Sequence, residues 1–198
     1  MNQPIISDPY FENFFIESCT ENSNNKQILK TEFINTPIGS MIAIANDQSL
    51  YLLEFVDCRS LKREIRRLLK ETNSKLILGK STQFISIEKE LNLYFLGQLK
   101  TFSTPFYLVG TPFQKNVWKE LTKIPFAKTC SYEEIAKTID NPKGFRAVAR
   151  ANGANQFAIL IPCHRVINKS GLLGGYDGGI ERKKWLLEHE KNFVSNNE

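Results

Sequence analysis

Apolar residues cluster early in the chain in three short runs, over residues 28–35, 40–45 and 49–56. Thr36-Pro37-Ile38-Gly39 and Asn46-Asp47 separate them. Strand-length runs bounded by such turn residues predict a small antiparallel meander. The period then changes. Leu61, Ile65, Leu68 and Leu69 recur at helical spacing behind Ser60, which predicts an amphipathic helix capped by that serine. Lys62, Arg63, Arg66, Arg67 and Lys70 form its other face, read as solvated because no aromatic or reactive group interleaves it. A second helix over residues 82–96 aligns Phe84, Ile87, Leu91 and Phe95 and ends at Gly97. Residues 97–112 have no period and contain Pro105, Gly110 and Pro112. They read as a linker, giving domains over 28–108 and 109–198. Residues 1–27 are polar and aperiodic and read as an extension with a short helix over 9–17.

In the second domain Thr111-Pro112 supplies a cap and a first-turn proline. The helix that follows reaches residue 124, with Phe113, Val117, Leu121 and Ile124 inward. Ser131-Tyr132-Glu133-Glu134 fits a capping box opening a helix to residue 139. Asp140-Asn141-Pro142 breaks it, and a second helix spans residues 143–152. Two short helices across a tight turn are a helix-turn-helix candidate, although an ordinary helical hairpin has the same pattern. Lys143, Arg146 and Arg150 fall at i, i+3 and i+7 and predict one basic stripe, with Phe145, Val148 and Ala149 facing away. Ala147, Ala149, Ala151, Gly153 and Ala154 are small enough to let DNA approach closely. Beyond them, the apolar residues 159–161 read as a buried strand that stops at Pro162 and presents Cys163, His164 and Arg165.

Composition narrows the class. With 198 residues, 41% hydrophobic and 24% charged, the chain fits one large or two small globular domains. No signal sequence and no membrane-length apolar run is found. The four cysteines, Cys19, Cys58, Cys130 and Cys163, form no Cys-x-x-Cys pair. That spacing predicts reduced thiols in a cytoplasmic compartment rather than disulfides. With His164 and His189 the only histidines, no metal centre is expected. Residues 111–198 hold 14 of the 26 basic and 9 of the 21 acidic residues, which accounts for the whole net charge of +5. Within residues 141–176 Lys143, Arg146, Arg150, Arg165 and Lys169 occur without any acid. Such a patch is either solvated surface or a footprint for an anionic partner such as nucleic acid.

A cysteine attacks as its thiolate, and an unperturbed thiol of pKa about 8.5 is mostly protonated near neutrality. A base or positive field must help it, and His164 and Arg165 adjoin Cys163. Adjacency also fits a small buried thiol beside a core histidine. Glu190 shifts the balance. On a final helix over residues 180–193 it stands on the apolar stripe of Leu186, Leu187 and Phe193. A buried carboxylate has to be paired, and orienting His164 would pair it. Cys163, His164 and Glu190 then read as nucleophile, base and orienter. Between them, residues 173–179 set four glycines around Tyr176, a loop suited to close approach of a ligand.

These features together resemble the O6-alkylguanine-DNA alkyltransferases, the methylated-DNA–protein-cysteine methyltransferases. Ile161-Pro162-Cys163-His164-Arg165-Val166 is similar to their active-site signature, and the Arg helix, the Gly-Tyr loop and the final Leu-Leu-x-His-Glu follow in family order. The resemblance runs from Gly110 to Glu190 and more weakly back to Thr31. It implies an α+β fold, with a small ribonuclease H-like N-terminal domain (antiparallel sheet with helices) and a mostly helical, winged-helix-like C-terminal domain. It further implies direct-reversal repair: Cys163 takes an alkyl group once and irreversibly from O6 of guanine, and from O4 of thymine. Double-stranded DNA is bound through the minor groove by a monomer, without cofactor. Lys143, Arg146, Arg150, Ala147, Ala149 and Gly153 meet DNA, Arg146 filling the place of the flipped base. Asn155 is the hinge, Tyr132 a proton donor to the leaving guanine, and Val166, Tyr176, Asp177 and Gly178 line the pocket. Two departures are Asn152, where many relatives are apolar, and the negative Asp177. A non-catalytic helix-turn-helix module and a Cys-His hydrolase are the competing classes.

Overall fold

The three early apolar runs form strands β1 (Gln27–Thr36), β2 (Gly39–Ala45) and β3 (Leu50–Phe55), paired antiparallel as a meander. The structure, a computed structural model, describes residues 26–195; the N-terminal extension and its expected helix lie outside the described residues. Helix α1 (Leu61–Glu71) leads into a fourth strand, β4 (Ser74–Leu78), which lies parallel to β1 and gives the order β3-β2-β1-β4. Sequence reading left β4 unassigned. It is an edge strand whose core contribution is Leu76, opposite Leu29, so it has almost no alternating pattern to read. Both faces of β2 are buried. Ile42 and Ile44 join Leu29, Leu52, Ile65, Leu68 and Leu76 in one cluster, while Met41, Ala43 and Ala45 fill the opposite face.

Two expectations here need correction. Ser60 stands at the N-cap of α1 but is itself helical (φ −83°, ψ −13°) and makes no side-chain cap bond. Buried Glu64 in the first turn pairs instead with Arg63 and Arg67. Nor is the whole of 97–112 a loose linker. Leu50 N donates to Pro105 O (2.8 Å) and Tyr107 N to Leu50 O (2.7 Å). The Glu90 carboxylate, on α2 (Thr82–Phe95), accepts from the backbone and hydroxyl groups of Ser103 and Thr104. Burial pushes that carboxyl up, but these bonds outweigh it and hold its pKa below the ordinary value. An aperiodic sequence is thus fixed by polar anchoring that hydrophobic periodicity cannot register.

The described residues of Met1–Asn92 with Ser103–Val109 make this first unit, and Leu93–Phe102 with Gly110–Glu198 the second. The second contains α3 (Pro112–Leu121), the short parallel pair β5 (Cys130–Ser131) and β6 (Val166–Ile167), α4 (Tyr132–Thr138), α5 (Phe145–Gly153) and α6 (Ile180–Ser195). The expected capping box of Ser131 with Glu134 forms, and the Thr111 cap proves to be a second one, closed by Gln114. Helix α3 stops three residues earlier than its periodicity predicts, at Leu121. Its main inward residue is Trp118, whose indole N–H donates to Ala151 O at 2.8 Å. Asp140 takes a positive φ of 56° at the break after α4. No helix among the described residues is long and apolar enough to cross a membrane.

Candidate active site

The run before Cys163 is not a strand. Residues 157–161 are buried turns, with Ile159 at φ +70°. Turns can be buried only if their backbone groups find partners, and Asn155 provides them. Its Nδ2 lies within bonding distance of Phe157 O (3.1 Å), Ile161 O (3.0 Å) and Cys163 Sγ (3.1 Å), while Oδ1 accepts from Phe157 N (3.1 Å). One amide therefore folds the segment and touches the thiol. Cys163 opens a single 3-10 turn, Cys163–Arg165, so its neighbours fan around a tight helix instead of alternating.

His164 and Glu190 are both wholly buried and meet at 2.8 Å, Nε2 to Oε1. An ionised carboxylate only accepts, so Nε2 carries the proton and Nδ1 holds the lone pair. Nδ1 is buried with no hydrogen-bond partner among the described residues. Arg165 was expected on the basic surface, and it is not there. It is 5% exposed and grips Glu190 through Nε (3.0 Å to Oε2) and Nη2 (2.9 Å to Oε1), with Nη1 on Ile124 O at 2.7 Å. Tyr94 hydroxyl (2.8 Å) and Ala127 N (2.9 Å) complete the shell around Glu190. Burial alone would raise the Glu190 carboxyl; His164 and Arg165 outweigh it and hold it far below the carboxylate range. Burial depresses the His164 pKa despite Glu190, so the imidazole is neutral at pH 7.

Tyr132, the first residue of α4, is half-buried, and its pKa is raised by burial and then by the charge of Cys163. A Cβ on Gly174 would stand 2.7 Å from its hydroxyl, so only glycine lets that loop pass. Tyr176 and Asp177 are half-buried and Gly178 is buried, its carbonyl accepting from Arg182 at 2.8 Å. Val166 is buried, and its carbonyl accepts from Lys183 Nζ at 2.5 Å. Asn152 is turned inward and 4% exposed, with Nδ2 3.5 Å from Cys163 O. It stands behind the thiol segment, so this departure from the apolar residue of many relatives faces the protein interior.

On α5, Arg146, Arg150 and Gly153 are exposed, Ala147 and Ala149 half-buried. Lys143 is exposed too but lies in the turn before the helix, since α5 starts at Phe145. Phe145 is 39% exposed rather than inward, with the Arg146 guanidinium 5.7 Å from its ring centre. Sequence reasoning missed Arg165 as an ion-pair partner, Tyr94 and Lys183. Lys183 had a signal: it lies seven residues before Glu190 and three before Leu186, on the same helical face. Tyr94 had none, because it reaches Glu190 from 96 residues away.

Comparison with known proteins matches residues 112–192 to the family described as 6-O-methylguanine DNA methyltransferase, DNA binding domain, and residues 29–108 to its ribonuclease-like domain. A methylated-DNA–protein-cysteine methyltransferase of Methanosarcina barkeri is 38% identical over 161 residues, covering 81% of this chain and 96% of that protein. One from Shigella flexneri is 37% identical over 168 residues, 82% and 95% of the respective chains. Among solved structures, Mycobacterium tuberculosis OGT in complex with DNA superposes with a TM-score of 0.71 at 40% identity, covering 84% of this chain and 94% of that one.

Proposed function

Because the chain belongs to the 6-O-methylguanine DNA methyltransferase family, we propose that it repairs alkylated DNA by moving the alkyl group from O6 of guanine, or O4 of thymine, onto Cys163. It is a methylated-DNA–protein-cysteine methyltransferase, and each molecule acts once. The observation that carries the chemistry is a nearly buried thiol next to a neutral imidazole, whose ring is fixed by an ionised, fully bonded carboxylate.

The roles follow from the groups. Glu190 accepts the Nε2 proton of His164 in a hydrogen bond and leaves Nδ1 as the basic nitrogen. Nδ1 takes the thiol proton, through a water molecule, and the Cys163 thiolate attacks the alkyl carbon. A carbon–sulfur bond forms as the carbon–oxygen bond breaks, and the electron pair goes to the base. Tyr132 supplies the proton that lets guanine leave neutral. A thioether has no low-energy path back to the thiol, unlike reversible oxidised forms of cysteine, so turnover ends there.

An O6 atom in a stacked duplex is out of reach of a buried thiol, so the base must be flipped. Exposed Arg146, Arg150 and Lys143 suit phosphate contact and occupation of the vacated stack through the minor groove. Gly153 faces open space, with no described residue beyond its neighbours and its own helix backbone within 4 Å of a Cβ placed there, which leaves room for a close backbone. The pocket for the flipped base is assigned to Val166 and residues 176–178. We take the working form as a monomer in a reducing, cytoplasmic setting, in keeping with Cys58, Cys130 and Cys163 standing outside any disulfide.

The test is intact-mass analysis after incubation with an O6-methylguanine duplex. One stoichiometric methyl adduct should appear, map to Cys163, and be absent from Cys163→Ala. An unmodified protein with the lesion intact would refute the reading, and repeated turnover would point to hydrolysis instead.

A further inference from the structure

Two cations are buried beside the thiol segment, and only one is neutralised by a carboxylate. Arg165 is taken up by Glu190. Lys183, on α6, has no exposed surface, and its ammonium donates to the neutral carbonyl of Val166. Among the described residues it forms no ion pair with any carboxylate. A buried ammonium is costly unless an anion faces it. The groups that titrate or carry charge around this point are Cys163, Tyr132 from α4, His164 from the 3-10 turn, and Lys183 from α6, with Arg165 and Glu190 behind His164. His164 is neutral and Tyr132 a phenol at pH 7, so the remaining source of negative charge is the thiol itself.

We propose that Lys183 is the counter-cation of the Cys163 thiolate and holds the thiol ionised before DNA arrives. The inference rests on Cys163 being the alkyl acceptor. Burial holds the Lys183 pKa below its ordinary value, and the charge of Cys163 opposes that shift without cancelling it. Lys183 acts through Cys163 and is a positioning residue. It sets the charge of the nucleophile, while its bond to Val166 O ties α6 to the strand that follows the thiol. In the resting protein the Cys163 proton passes by way of Nδ1 of His164 and a water molecule to solvent, which leaves the imidazole neutral. During transfer only the carbon–sulfur and carbon–oxygen bonds change, and the base is protonated by Tyr132. The thioether product is neutral, so alkylation removes the anion that faces Lys183.

The experiment measures carboxamidomethylation of Cys163 by iodoacetamide against pH, followed on the Cys163 peptide by mass spectrometry. It compares the full chain with Lys183→Met and Lys183→Arg. In Lys183→Met the midpoint should rise by about one pH unit or more and the rate at pH 7 fall about tenfold. Methyl transfer should fall in parallel and recover as the pH is raised to about 9. Lys183→Arg keeps the charge and should keep the midpoint near that of the unaltered protein. An unchanged midpoint in Lys183→Met overturns the proposal, even if activity is lost. Should that variant fold poorly, unfolding of Lys183→Met, Cys163→Ala and the double variant at pH 8 decides. The pairing predicts that Lys183→Met is less harmful once Cys163 is gone, and strict additivity overturns it. Iodoacetamide needs no DNA, so a shifted midpoint without any methyl transfer would sink the repair reading and leave the ion pair standing.

Discussion

Nε2 of His164 and Oε1 of Glu190 lie 2.8 Å apart, and neither side chain has exposed surface. A carboxylate at such depth needs every lone pair satisfied. Here Tyr94, Ala127 N and the adjacent pair His164 and Arg165 do so from three separate stretches of chain. The same carboxylate thus orients the His164 imidazole and ties the C-terminal helix into the second unit.

Glu190→Gln should be costly twice over. The variant leaves the Arg165 guanidinium buried without its anion, which typically destabilises by about 3–5 kcal/mol. It also replaces one acceptor oxygen by an NH2 donor, so the His164 tautomer is no longer fixed by a carboxylate. Denaturant unfolding and single-turnover methyl transfer read the two effects separately. A variant within about 1 kcal/mol of the parent would contradict the buried pair.

Acid should weaken the fold in two steps. His164 has a folded pKa below its ordinary 6.5, so the unfolded chain binds its proton first. Its contribution is complete above pH 6.5 and is lost as pH falls from there through the folded value. Glu190, held below its ordinary 4.5, adds a second loss starting near that pH. Each group contributes up to about 1.4 kcal/mol per pH unit in its window. Unfolding free energy measured from pH 7.5 to 4 should decline accordingly, and His164→Gln should remove the upper step. A flat profile between pH 6.5 and 5 would show that His164 is protonated in the folded protein.

Gly174→Ala should act through Tyr132. The added methyl would lie 2.7 Å from the hydroxyl and must displace either the ring or the loop. Displacing a reacting group by an ångström costs up to about a hundredfold, so methyl transfer should drop between tenfold and that figure. Stability should change by about 1 kcal/mol or less. Unchanged transfer kinetics would remove Tyr132 from the proton-donor role.

Asn155→Ala should loosen the turns that carry the thiol. Several buried carbonyl and N–H groups lose their partner at once, each worth about 1–3 kcal/mol when left unsatisfied. A loss of about 3 kcal/mol or more in unfolding free energy is expected. Hydrogen exchange over residues 157–163 should rise before the rest of the second unit.

Arg146→Ala separates flipping from chemistry. Repair of O6-methylguanine in duplex DNA should slow far more than reaction with free O6-benzylguanine, which needs no extrusion. Equal losses on both would refute the finger role. Salt should weaken duplex binding steeply in the parent and less in Arg146→Ala and Arg150→Ala, if these arginines meet phosphates.

The sequence by itself determined the elements whose cause is local. The meander is bounded by Thr36-Pro37-Ile38-Gly39 and Asn46-Asp47, and two helices are opened by the caps at Thr111 and Ser131. It also determined the pairing of His164 with Glu190, because a carboxylate on an apolar helical stripe demands a partner. Only the tertiary structure decided how burial is tolerated. Residues 159–161 look like a strand by composition, but the Asn155 amide bonds the Phe157 and Ile161 carbonyls and holds the segment as turns. Arg165 and Asn152 look like surface residues in a basic, helical stretch, yet both point inward. Arg165 does so because Glu190 and Ile124 O offer it charge and hydrogen bonds that no local pattern announces. Polar groups are buried by partners distant in sequence, and hydrophobic periodicity carries no record of them.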